Sequence, residues 1–201
     1  MNRRLPWWLV LLLVAACGET PAPADIPAAP EPAAPARTPA PAPVAVADPL
    51  PAAAPGAFAL EARSGTVAAR ATDAPVLVDV RAAEHEGFDR IVFEFQSDGL
   101  PQWIVDWVEI PITHCGSGQV VPVSGTAWLQ VRFNGAAAHT PEGKPTSGPA
   151  QRRLRHPVVR DLARICDFEG EVTWVAGLAG QHPYRVDVLS APPRLVVDIV
   201  H

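Results

Sequence analysis

Tyr184-Arg185-Val186-Asp187-Val188-Leu189-Ser190, the corner Ala191-Pro192-Pro193, and Arg194-Leu195-Val196-Val197-Asp198-Ile199 decide the fold of this chain. In the first run Tyr184, Val186 and Val188 alternate with Arg185 and Asp187. In the second, Leu195, Val197 and Ile199 share one face, and Arg194 and Asp198 the other. A period of two belongs to a strand with one buried and one solvated face. The double proline fixes φ and removes amide donors, so no helix runs through it and the chain must turn. The stretch reads as two strands joined by a tight corner. Arg194 and Asp198 then face outward, each placed to pair with an opposite charge on a neighbouring strand.

The same alternation recurs upstream. Ile91, Phe93 and Phe95 oppose Arg90, Glu94 and Gln96; Ala127, Leu129, Val131 and Phe133 oppose Gln130 and Arg132; Val172, Trp174, Ala176 and Leu178 repeat it. Val76–Arg81 and Trp103–Ile110 are two further strand candidates, and Val158–Ile165, whose apolar spacing also fits a helix, is read as a strand. Turns at Ser97-Asp98-Gly99 and Glu169-Gly170 bound these runs. The expectation is an all-β domain, an antiparallel β-sandwich over residues 58–201. Trp128 falls on the outward face of its strand, where a second packing layer or a stacked sugar ring would account for it. Residues 134–156 show no period. They end in the basic cluster Arg152, Arg153 and Arg155, which reads either as an anion- or glycan-facing loop or as a solvated surface run.

From Phe58 onward the chain carries 13 Lys+Arg against 17 Asp+Glu. Phosphate recognition needs a concentrated basic field, so nucleic acid is not expected as a partner. The histidines at 85, 114, 139, 156, 182 and 201 form neither H-E-x-x-H nor a closely spaced pair. In Glu84-His85-Glu86, neighbours on an extended chain point to opposite faces. Ser117 and Ser124 lack the G-x-S-x-G elbow. No catalytic residue, metal site or cofactor is expected, and a hydrolase would require a cleft with paired polar groups.

The N-terminus has the layout of a secretory signal over residues 1–16: Arg3 and Arg4, the apolar run Leu5 to Ala16, then small residues. The run is too short for a span, which takes about 20 apolar residues. Val14-Ala15-Ala16-Cys17 is similar to the bacterial lipobox, which implies cleavage before Cys17 and acylation of its thiol. Two or three acyl chains hold a membrane stably, at about 0.8 kcal/mol per buried methylene. Gly18 is not the aspartate associated with inner-membrane retention, so an outer membrane, where present, is the expected site.

Residues 18–57 hold 12 of the 24 prolines and 15 alanines. They form a Pro/Ala tether that cannot build a core and, fully extended, reaches about 100 Å. Export implies an oxidising compartment. With Cys17 lipidated, Cys115 and Cys166 remain, most simply as a disulfide.

Gly87-Phe88-Asp89-Arg90-Ile91-Val92-Phe93-Glu94-Phe95, Asp167-Phe168-Glu169-Gly170 with Val172-Thr173-Trp174, and Leu189-Ser190-Ala191-Pro192-Pro193-Arg194-Leu195-Val196-Val197-Asp198-Ile199 together resemble AMIN and AMIN-like domains of exported bacterial proteins. The resemblance implies a non-catalytic β-sandwich that acts by binding. It points to a lipid-anchored envelope protein whose domain engages peptidoglycan or another cell-wall polymer. The alternative partner is an envelope protein in whose assembly the domain takes part.

Overall fold

A computed structural model describes residues 57–65 and 74–201. The signal sequence, Cys17 and the tether up to residue 56 lie outside the described residues. These contain ten strands and no helix: β1 (Arg63–Gly65), β2 (Val76–His85), β3 (Phe88–Gln96), β4 (Gln102–Val108), β5 (Ala127–Asn134), β6 (Gln151–Arg153), β7 (Val159–Phe168), β8 (Glu171–Leu178), β9 (Tyr184–Ser190) and β10 (Pro193–Val200). One antiparallel sheet runs β1-β4-β5-β8-β7-β6 and the other β2-β3-β10-β9. The double-proline corner closes the β9–β10 hairpin, with Pro193 opposite Ser190. The expected all-β sandwich is the observed fold, and Val158–Ile165 falls in strand, mostly within β7.

The alternating positions meet between the sheets. Ile91, Phe93, Phe95, Leu195, Val197 and Ile199 of the four-stranded sheet face Leu129, Val131, Phe133, Val172, Trp174 and Leu178 of the six-stranded one, all nearly or fully buried. Edge-to-face aromatic contacts join the layers, Phe93 to Phe133 at 5.3 Å and Phe95 to Phe133 at 4.9 Å, an arrangement worth about 0.5–1.5 kcal/mol beyond burial. At one end Asp89, fully buried, accepts the amide N–H of Val158 and of Val159 at 2.8 Å each. Its other oxygen lies 3.1 Å from His201 Nε2. The aspartate of the Gly87-Phe88-Asp89 motif thus ties β3 to the start of β7, in the opposite sheet.

Asp198 pairs with opposite charges on both neighbouring strands, as its spacing predicts, and is covered more completely than spacing shows. Asp198 is on the outer face of its sheet, as its spacing requires, yet it has no solvent exposure. Arg90 on β3 and Arg185 on β9 flank it, with Arg90 Nε 2.6 Å from Oδ1 and Arg185 Nη2 2.7 Å from Oδ2. Both guanidinium groups lie over the Phe88 ring, at 5.1 and 5.6 Å. Period alone gives the face; it does not give what covers the face. Residues 134–156 are not a solvated run either. Leu77 N donates to Ala137 O, Thr146 Oγ1 donates to Leu77 O, and Ala136, Ala138 and Ser147 are buried. The segment holds β2 of one sheet by these bonds and ends in β6, which pairs with β7 of the other, closing a side of the sandwich. Arg152 turns back over the Trp174 ring at 5.8 Å while Arg153 and Arg155 are exposed, so the three arginines do not form one basic face.

Candidate functional site

Between β4 and β5 the chain does not turn directly. Residues 109–126 cross the outer face of the six-stranded sheet as a strap. Ile112, Val121 and Val123 of the strap bury against Ala163 and Val175, with Val108, Trp128 and Ile165 alongside. This is the second packing layer that accounts for Trp128: its indole N–H donates to Val123 O at 3.0 Å. The strap doubles on itself, with Val121 N donating to Ile112 O and Gly118 N to His114 O. Cys115 sits at its tip.

Cys115 is disulfide-bonded to Cys166 of β7, Cα to Cα 5.3 Å across a sequence separation of 51. The register of β7 on β8 shifts between Arg164 and Cys166, so that Cys166 stands opposite Thr173. The bulge inserts Ile165 and brings Cys166 to the face the strap covers. Three more bonds hold the strap down: Ser124 N donates to Asp161 Oδ2, Gln151 Nε2 donates to Pro122 O, and Cys115 N donates to Ile165 O. Ser124 passes so close above β8 that a Cβ on Gly177 would collide with its carbonyl oxygen. Gly177→Ala should therefore lift the strap or shift β8, at a cost of about 1–3 kcal/mol, read from the midpoint of urea unfolding.

Where the strap leaves β4 and rejoins β5, two adjoining cavities open. One, of about 400 Å³, is lined by Trp107, Glu109, Thr126, Trp128 and Gln181 among others; the second, of about 420 Å³, by Pro111, Val120, Pro122 and Val123, with Ile110 and Trp128 shared by both. Ile110 is 64% exposed and Val120 65%, the most exposed large apolar side chains among the described residues. Trp107 is held in place from inside: its N–H donates to Leu60 O at 2.8 Å and its ring meets Tyr184 edge-on at 5.9 Å.

Tyr184 is fully buried, and its hydroxyl lies within hydrogen-bond reach of Glu61 O (2.7 Å) and Val105 O (3.0 Å). Burial is the main force that pushes its phenol from 10.0 up to about 12. The unfolded chain then loses this proton before the folded one. Stability contributed by Tyr184 is complete below pH 10.0, declines above it and is gone once pH has risen through about 12. Urea titrations across that window should show the decline, and Tyr184→Phe should flatten it.

Polar side chains elsewhere in the domain are placed as braces. Asp167 Oδ1 accepts from Ala138 N at 2.9 Å and lies 2.8 Å from His139 Nδ1, while its Oδ2 is 3.1 Å from Arg164. Ser147, buried, lies against Arg164 at 3.4 Å. Ser117 accepts an amide within the strap's turn, and His85 stacks on Phe88 at 5.0 Å. Among the described residues no group of three or more His, Cys, Asp or Glu is arranged to hold a metal. Cys17 lies outside the described residues. Glu109 and Ile110 were expected within the strand Trp103–Ile110, but β4 ends at Val108 and leaves both at the start of the strap; Gln181 carries no signal in the sequence.

A family model described as AMIN-like domain matches residues 75–201. No curated protein and no solved structure matches the chain.

Proposed function

Because the chain belongs to the AMIN-like domain family over residues 75–201, we propose that it is a cell-envelope lipoprotein whose sandwich binds peptidoglycan or another cell-wall polymer. The observation that carries the reading is the family match over nearly the whole sandwich. AMIN-like domains fit a wall-associated binding role in general, and the finer identification of the polymer is our inference. Cys17, acylated, holds the chain to the membrane, on the periplasmic side of an outer membrane where one exists. The Pro/Ala stretch lets the domain stand off by up to about 100 Å. Activity is binding without turnover, with no cofactor.

Two experiments test this. The purified full chain, incubated with isolated sacculi, should pellet with them above the level of a control lipoprotein; pelleting no greater than the control removes the wall polymer as ligand. In cells, radiolabelled palmitate should enter the wild-type chain and be absent from Cys17→Ser. Label retained in that variant removes the anchor.

A further inference from the structure

The two cavities beside the strap differ in chemistry, and the difference specifies a ligand. Sites for small ligands measure about 300–1,000 Å³ and combine apolar walls with a few polar groups. Two open depressions of about 400 and 420 Å³, with Ile110 and Trp128 common to their linings, fall within this range of volume and lie side by side as one cleft.

The indole N–H groups of Trp107 and Trp128 are already committed to Leu60 O and Val123 O, so neither offers a donor to the cleft; Trp128, on the strap's face of the sheet, is its aromatic wall, while the Trp107 ring packs toward the core on the other face and borders the cleft at its edge. The Thr126 hydroxyl donates its proton to Ala179 O and keeps only acceptor capacity. Glu109 accepts, and Gln181 alone both accepts and donates. The polar chamber is therefore rich in acceptors, and its one formal charge is negative. It suits a ligand with many hydroxyl or amide donors and disfavours phosphate or carboxylate. The second chamber, between Ile110, Pro111, Val120 and Pro122, offers no side-chain polar group, and it adjoins the first at Trp128.

We propose that this cleft is a saccharide subsite selective for an N-acylated amino sugar. The sugar hydroxyls meet Glu109, Thr126 and Gln181, the ring lies along Trp128, and the acyl methyl enters the apolar chamber at Ile110. The assignment rests on the wall-polymer reading and adds to it a site and a discrimination: the glycan part of the wall is bound, and anionic polyol phosphates are not.

The test uses the full chain, titrated with triacetylchitotriose and with cellotriose, which has the same ring and linkage without the acetamido group. Binding is followed by tryptophan fluorescence and by heat. Triacetylchitotriose should bind at least about 10-fold more tightly, the discrimination that a single apolar group brings in a fitted pocket. Gln181→Ala should weaken it about fivefold, as for one lost hydrogen bond. Ile110→Ser, at an exposed position that the fold does not depend on, should narrow the gap between the two sugars. Equal affinity for both, or variants that bind like wild type, overturns the cleft assignment.

Sacculus pelleting that survives in Gln181→Ala and Ile110→Ser, with no response to either trisaccharide, overturns the cleft but leaves wall binding intact. Trisaccharide binding without pelleting supports the cleft and overturns the wall as its source. Vesicles carrying an N-acylated glycolipid would then bind the chain if the sugar is lipid-borne, and failure of those vesicles would overturn a lipid-borne source while the trisaccharide result still supports the cleft.

Discussion

Replacing both Cys115 and Cys166 with serine should lower the stability of the folded domain by about 4 kcal/mol. The sequence separation is 51, and in the chain-entropy model a loop of that length, left open, returns roughly this much freedom to the unfolded state. Urea unfolding of the double variant against wild type measures it. The strap has other anchors, since Ile112, Val121 and Val123 stay buried on Ala163 and Val175, and Ser124 N and the Trp128 indole remain bonded. The variant should therefore fold, with lost protection concentrated at the strap's tip around His114–Gln119. Hydrogen exchange would show this as faster exchange there and unchanged exchange in β3 and β10. A loss below about 1 kcal/mol would mean that packing alone fixes the strap.

Asp198→Ala should cost about as much, some 3–5 kcal/mol, by a different route. Asp198 has no exposure, and Arg90 and Arg185 are 11% and 16% exposed at the side chain. Removing the carboxylate leaves two cations in a half-dry site on the outer face of β3, β10 and β9, each facing the other where both had faced an anion. Arg185 retains Asp187 at 3.6 Å; Arg90 retains only the Phe88 ring. Most of the cost therefore falls on Arg90, and Asp198→Ala combined with Arg90→Leu should recover part of it, as coupled pairs do. A double variant as unstable as the sum of the two single ones would show that the cluster is not coupled.

The sandwich was legible because its strands alternate cleanly. Ile91, Phe93 and Phe95, or Leu195, Val197 and Ile199, announce a period of two with no competing signal, and Pro192-Pro193 marks a corner that cannot be anything else. Asp198 shows where that reading stops. Periodicity assigned it to the outer face correctly, but its burial depends on Arg90, 108 residues away in sequence. Residues 134–156 were opaque for a related reason: up to the short strand β6 their backbone is satisfied by irregular bonds, among them bonds to Leu77, Asp167 and Gly170, and only Gln151–Arg153 join a ladder. The cleft was the least legible part. It takes residues from the end of β4, the start of β5 and the β8–β9 connection, and it exists only because β4 and β5 pair with Val108 opposite Trp128. Spacing along the chain carries no trace of that pairing.

The first described residues enter the domain beside the cleft. Ala59 exchanges two backbone hydrogen bonds with Tyr184, Leu60 O receives the Trp107 indole proton, and Glu61 O accepts from the Tyr184 hydroxyl. For a chain anchored by Cys17 and holding the wall through its domain, any relative movement of membrane and wall becomes a pull on Ala57. That pull falls first on Tyr184, at the start of β9, and on Trp107, near the end of β4, so it enters both sheets at that point. Trp107 lines the proposed subsite, so under that proposal grip and anchor would lie in mechanical series: the bonds that take up the load also shape the cleft.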